Sequence, residues 1–149
     1  MYYWIILALV ILLDQSSKWW VSSTFFMGES RPVIDGILWL TYVHNQGAAF
    51  SILPGKTAFF VIASIIVITG VSIWVLRSRP PIRLAMILGL LSGGAAGNLV
   101  DRLRFSHVID FLDLHWWPVF NFADMSIVVG SILLVWYVFM LERSEKLNG

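Results

Sequence analysis

Four long apolar runs dominate the chain, at roughly residues 3–21, 57–76, 82–100 and 122–141. Each is close to the ~20 residues that an α-helix needs to cross a bilayer core, and a helix pairs its own backbone groups where no water is present. The pattern predicts four transmembrane helices, an even number that puts both termini on one side. Between the first two runs the pattern changes. In "PVIDGILWLTYVHNQGAAFSIL" (32–53) β-branched and aromatic residues cluster, Gly36 and Gly47 read as turn points, and "ILWLTYV" reads as a short strand. The expected fold is mainly α and membrane-integral: a four-transmembrane-helix bundle with a small extracytoplasmic β-rich lobe, in a single domain over residues 1–149.

Composition agrees. Hydrophobic residues make up 58 % of the chain, charged residues 13 %, and mean hydropathy is +0.81, whereas a soluble domain carries about 25 % charged residues. The net charge of +1 offers no basic face for nucleic acid. With no cysteine there is no disulfide, no thiolate metal site and no Cys nucleophile. "MYYWIILALVILL" lacks a basic n-region and a small-x-small cleavage site, so it is expected to stay as the first span. The link "RSRPPIR" holds Arg77, Arg79 and Arg83, and the tail holds Arg143 and Lys146, which places that link and both termini in the cytoplasm. The connections 22–56 and 101–121 then lie outside. In the third span Gly89, Gly93 and Gly97 are four apart on one helix face, a spacing that lets transmembrane helices pack closely.

Polar residues inside or beside such spans are costly and call for an account. Asp14 and Lys18 stand four apart, toward the outer end of the first span, and can pair; the bland alternative is a lysine snorkelling to the headgroups. In "GNLVDR" Asn98 and Arg102 share a face with Asp101 beside them, either an Asp–Arg pair ending the helix or a polar platform under a site. Asn45 and Gly47 in "HNQGAAF" read, alone, as turn chemistry. Asp110, in "VIDF", could be a surface turn acid, and Asp124, which follows Pro118 and Asn121, a simple N-cap of the fourth helix. Together they point further. Two neighbouring carboxylates share a proton, so that one can take a proton from water while the other polarises a carbonyl, which is the chemistry of an aspartic peptidase. Asp113 reads as an additional, solvent-facing loop acid. No "HExxH" or "GxSxG" appears, and His44, His107 and His115 lack compact metal-ligand spacing, so no metal or other cofactor is expected.

The set "LDQSSK", "HNQGAAF", "GGAAGNLVDR", "VIDF" and "FNFAD", in this order across four spans, resembles the lipoprotein signal peptidase (signal peptidase II) family. The resemblance implies a bacterial inner-membrane aspartic endopeptidase. Such enzymes cut the signal peptide from prolipoproteins just before a diacylglyceryl-modified cysteine. It implies catalysis by Asp110 and Asp124 and supporting contacts from Asp14, Lys18, Asn45, Gly47, Asn98, Asp101, Arg102 and Asn121. Prolipoproteins and membrane lipid are the implied partners, nucleic acid is not, and a monomer is expected. One departure is the connection between "VIDF" and "FNFAD", which is compact and rich in aromatics. Two other readings compete: a proton-coupled carrier, which would set Asp14 or Asp101 deep in the bundle, and a non-catalytic subunit docking through the glycine seam.

Overall fold

The computed structural model describes residues 1–47 and 56–148. The chain runs α1 (Tyr2–Thr24), β1 (Ser30–Ile34), β2 (Leu38–Asn45), α2 (Thr57–Ser78), α3 (Ile82–Phe105), β3 (Val108–Asp113) and α4 (Phe122–Asn148). All four helices are long and apolar enough to cross a membrane. Each extends beyond its expected apolar run, most of all at the end of α4, because polar residues continue a helix outside the hydrocarbon layer. Ala48, Ala49 and Phe50 of "HNQGAAF" lie outside the described residues.

The α2–α3 link is fixed by local chemistry. Arg79 takes a left-handed conformation at φ 45°, its N–H bonds to Val75 O, and Pro80 and Pro81 follow, so α2 cannot continue. Pro81 then serves as the N-cap position of α3.

α3 is the central helix: half of its span is buried, against 6 % for α2 and for α4. Ile62, Ile65 and Ile66 of α2 and Ile132, Val135 and Trp136 of α4 are exposed, as lipid-facing side chains should be. The glycine seam lies against α1. A Cβ on Gly89 would come within 2.8 Å of Tyr3 O, one on Gly93 within 2.8 Å of Val10 Cβ, and one on Gly97 within 2.5 Å of Asp14 Oδ2. Gly94 does the same on the opposite side, where a Cβ would run into Ala123 O of α4.

The strands form one antiparallel sheet in the order β1-β2-β3. β1 and β2 make a hairpin closed by the Ile37 N–H bonding to Ile34 O at 3.0 Å, with Gly36 at φ 73° where L side chains are disfavoured. The sheet caps the end of the bundle away from both termini. β3 was not legible as a strand: Asp110, for which a surface turn was one alternative, is mid-strand and 2 % exposed. Phe111 and Leu112 of β3 join Val21 of α1 and Phe25, the residue that caps it, in one buried cluster, which docks the sheet on the bundle.

The seam makes a direct prediction. Gly89→Ala forces α1 and α3 apart at a backbone atom and should cost about 1–3 kcal/mol, the usual range for overpacking. Gly70→Ala on α2, where a Cβ meets nothing within 4 Å, should cost nothing. Thermal unfolding of the two purified variants in detergent compares them.

Candidate active site

The polar residues of the spans converge on Lys18, which is 2 % exposed. Its Nζ lies 2.8 Å from Asp14 Oδ2 and 2.9 Å from Asp101 Oδ2, and it donates to Asn98 Oδ1 at 3.0 Å. The lysine therefore does not snorkel. Nor does Asp101 pair with Arg102; it belongs to Lys18 and also accepts the Ile109 N–H of β3 at 3.1 Å. Asp14, near the middle of α1 rather than at its outer end, accepts the Ala123 N–H at 3.0 Å. It thus satisfies one of the donors that the start of α4 leaves unpaired. Gln15, not singled out from the sequence, donates to Asp14 Oδ2 at 3.1 Å, Asp101 Oδ1 at 2.9 Å and Gly97 O at 3.1 Å. An amide within an apolar span, one residue from Asp14, was the available signal, because a buried polar group needs partners.

The start of α4 is a reciprocal cap. The Asp124 N–H bonds to Asn121 Oδ1 at 2.9 Å, and the Asn121 N–H reaches back to Asp124 Oδ2 at 3.3 Å. Asn121 is therefore the cap and Asp124 the third helical residue, which rules out the alternative of Asp124 as a simple N-cap. α4 begins level with Gly94 and Gly97 of α3, some eight residues before α3 ends at Phe105, so it starts about 12 Å below that end. Asp124 is recessed within the bundle by that offset.

Three neutral amides hold the two carboxylates. Asn98 Nδ2 donates to Asp124 Oδ1 at 2.8 Å, Asn121 Nδ2 to Asp110 Oδ1 at 2.6 Å, and Asn45 Nδ2 to Asp110 Oδ2 at 2.9 Å. The orientation of each amide is dictated, because its oxygen faces an obligate donor. Asn98 Oδ1 faces the Lys18 ammonium, Asn121 Oδ1 the Asp124 N–H, and Asn45 Oδ1 the Gly47 N–H at 2.9 Å. Each NH₂ group is left for a carboxylate. In Asn45 the turn chemistry and the site contact are thus made by one side chain. Asn121 also bonds to Asn98 Oδ1 at 3.2 Å, linking the two halves.

Arg102 binds backbone. Its Nη2 donates to Gly47 O at 3.0 Å, and its guanidinium lies 5.0 Å from the Phe60 ring centroid. All ten residues named from the sequence thus join one connected polar network, built from α1, β2, the residues just after it, β3, α3 and the start of α4. The Asp110 carboxyl is pushed up to about 7, first by burial and then by the charge of Asp124.

Beside Asp124 opens a cleft of about 680 Å³, reached by Asn45, Ser64, Asn98 and Arg102 and otherwise walled by apolar side chains, among them Trp117 and Met125. Asp110 stands behind this lining, so the cleft approaches the carboxylates from the Asp124 side. Asp113 is not solvent-facing: it ends β3 with its side chain 13 % exposed. The histidines do not converge, since His44 stacks on His107 at 3.8 Å while His115 lies against Trp39.

Comparison with known proteins gives the same grouping. The family described as signal peptidase (SPase) II matches residues 6–140. The lipoprotein signal peptidase of Syntrophomonas wolfei is 47 % identical over 149 residues, covering 100 % of both chains. That of Pelotomaculum thermopropionicum is 49 % identical over 148 residues, covering 98 % of this chain and 95 % of its own. Among solved structures, a bacterial membrane enzyme determined by the in meso method superposes with a TM-score of 0.88 at 32 % identity, covering 97 % of this chain and 90 % of its own. A second enzyme of the same description gives 0.83 at 33 % identity, covering 91 % of each chain. With a family match over most of its length and relatives close to half identical, the chain belongs to the signal peptidase II family.

Proposed function

We propose that this protein is an aspartic endopeptidase of the bacterial inner membrane that removes signal peptides from prolipoproteins. It would cut on the N-terminal side of a diacylglyceryl-modified cysteine, with Asp110 and Asp124 as the acid–base pair. The observation that carries this reading is the pair itself: a buried carboxylate on β3 and a half-buried one on α4, oriented by three pinned amides beside one largely apolar cleft. Family membership and the names of the relatives support the substrate class.

At neutral pH the pair holds one proton. The ionised carboxylate takes a proton from a water molecule as the water oxygen attacks the scissile carbonyl. The protonated carboxyl gives its proton to the carbonyl oxygen. The tetrahedral intermediate then collapses: one of its hydroxyls returns a proton to the ionised carboxylate as the carbonyl re-forms, the C–N bond breaks, and the leaving amine takes up the proton abstracted from water. No metal or organic cofactor enters this scheme. Asn45, Asn98 and Asn121 keep the carboxylates aimed, while Arg102 holds the Gly47 backbone at the rim. The protein would act as a monomer, with both termini in the cytoplasm and the sheet at the outer face, where the cleft opens to lipid and to the signal segment.

The carrier reading expected a deep acid, and Asp14 is one. Its depth has a structural cause: α4 starts at that level, and Asp14 receives its Ala123 N–H while paired with Lys18. An acid so engaged is poorly suited to pass protons.

Asp110→Asn and Asp124→Asn should each lower cleavage of a diacylglyceryl-modified prolipoprotein at least about a thousandfold with the protein still folded, since an amide is neither base nor acid. A gel-shift assay with purified enzyme measures this, and substantial activity in either variant would overturn the dyad. The pH dependence has a defined sign. Above about 7 the raised Asp110 carboxyl gives up the shared proton and no acid remains, so kcat should fall on the alkaline side with an apparent pKa near that value. A rate still rising through pH 9 would contradict the shared proton.

A further inference from the structure

The acid–base chemistry gives Asp113 nothing to do, yet its carboxylate is one of the better-bonded groups on the sheet. Thr41 Oγ1 donates to Asp113 Oδ2 at 2.7 Å, and the His115 N–H donates to Asp113 Oδ1 at 2.7 Å. Thr41 Oγ1 and Ser30 Oγ also lie 2.8 Å apart, which ties the carboxylate to all three strands. Asp113 faces Trp39 in the β2–β3 register, and the His115 ring packs on Trp39 with centroids 3.8 Å apart. His115 has φ 63°, a left-handed conformation uncommon outside glycine, though histidine is among the side chains that adopt it most readily. The bond from its N–H to Asp113 and the tilted contact of its ring with Trp39 both engage it there.

The residues flanking His115 give this anchor its meaning. Leu114, Trp116, Trp117, Pro118 and Val119 all line the cleft beside Asp124. The six residues 114–119 cross from the end of β3 toward α4 without a helix or strand of their own. Both ends of this segment are anchored. At one end Phe120 bonds to Leu112 of β3 and Asn121 caps α4. At the other end stand Asp113 and His115. Three of the residues are two tryptophans and a proline, side chains with large rigid faces that lose little freedom when they contact an apolar ligand.

We propose that Asp113 is a positioning residue for substrate binding: bonded to Thr41 and to the His115 backbone, it holds residues 114–119 in place as the apolar wall of the cleft beside Asp124. The wall receives an apolar group of the substrate flanking the scissile bond. The inference rests on the peptidase reading and adds to it a residue that governs affinity rather than chemistry.

The test is steady-state cleavage of a diacylglyceryl-modified prolipoprotein peptide by wild type, Asp113→Ala, Asp113→Asn and Trp117→Ala. Asp113→Ala and Trp117→Ala should each raise KM about tenfold, with kcat within about twofold of wild type and its pH profile unmoved. Asp113→Asn, which keeps one acceptor, should fall between. An unchanged KM in both Asp113→Ala and Trp117→Ala overturns the proposal, and so does a fall in kcat at unchanged KM. Should Asp113→Ala fail to fold, Thr41→Val removes one of the two bonds with little change of shape. It should raise KM in the same direction, and a wild-type KM in both Thr41→Val and Trp117→Ala then overturns the proposal. Failure of the peptidase reading is distinguishable: wild type would not cleave. The Kd of the same peptide, labelled and measured by anisotropy on protein carrying Asp124→Asn with and without Asp113→Ala, then reads the wall directly. An unchanged Kd overturns the proposal there as well.

Discussion

The polar network that carries the two candidate catalytic carboxylates depends on one buried ammonium. Lys18 has three protons to give, and three acceptors stand within 3.0 Å: Asp14, Asp101 and Asn98. Two of these lie on α3 and one on α1, so the lysine joins the helices that the glycine seam brings together. A buried ion pair adds little to stability over an apolar pair of the same shape, but leaving one member unpaired costs about 3–5 kcal/mol. The cluster is therefore fixed as a unit. Its acids are then free to anchor other segments: Asp14 holds the first turn of α4, and Asp101 holds Ile109 of β3. The two segments that carry Asp124 and Asp110 are thus both fastened to carboxylates that Lys18 neutralises.

Close helix packing makes this reach possible. At Gly97 the seam passes directly under the Asp14 carboxylate, and at Gly94 the same helix accepts the start of α4. A side chain at either position would push α1 or α4 outward and lengthen bonds that are now near 3 Å. Small residues in α3 accordingly set the depth at which α4 begins. That depth, more than any loop, places Asp124 inside the bundle.

Much of this was legible in the sequence. The four helices follow from hydropathy alone, because the bilayer demands long uninterrupted runs, and the Asp14–Lys18 pairing follows from helical spacing. The strand β3 was not legible. "VIDFLD" is short and ends in a polar stretch, and it is a strand because Leu40, Val43 and His44 of β2 pair with it and α1 covers it. Spacing could place Asp101 beside Arg102 but could not show that Lys18, 83 positions earlier, would claim it. The cap of α4 was ambiguous for a similar reason: Asn121 and Asp124 are both good capping residues, and Asn121 is also held by its bond to Asp110 of another element. Gln15 was passed over, and Asp113 was read as a solvent-facing loop acid, because each has a partner remote in sequence, on α3 and β2 respectively.

The distribution of charge separates structural acids from chemical ones. Four buried or recessed carboxylates share this site with two cations. Lys18 is spent on Asp14 and Asp101, and Arg102 donates to the Gly47 and Asn98 carbonyls. Asp110 and Asp124 receive amide donors instead. A cation bonded to Asp110 would orient it equally well but would favour its charged form and strip the proton that the pair must hold. A neutral amide fixes the same oxygen with a weaker pull on its titration, which leaves burial and the neighbouring carboxylate to hold Asp110 near 7. The amides in turn need their oxygens pinned, or they could rotate and present an acceptor to a carboxylate. Two of the pins are backbone N–H groups and the third is the Lys18 ammonium. The charge that stabilises the scaffold makes no bond to the dyad: Asn98 stands between Lys18 and Asp124, and on Asp110 the ammonium acts only across space.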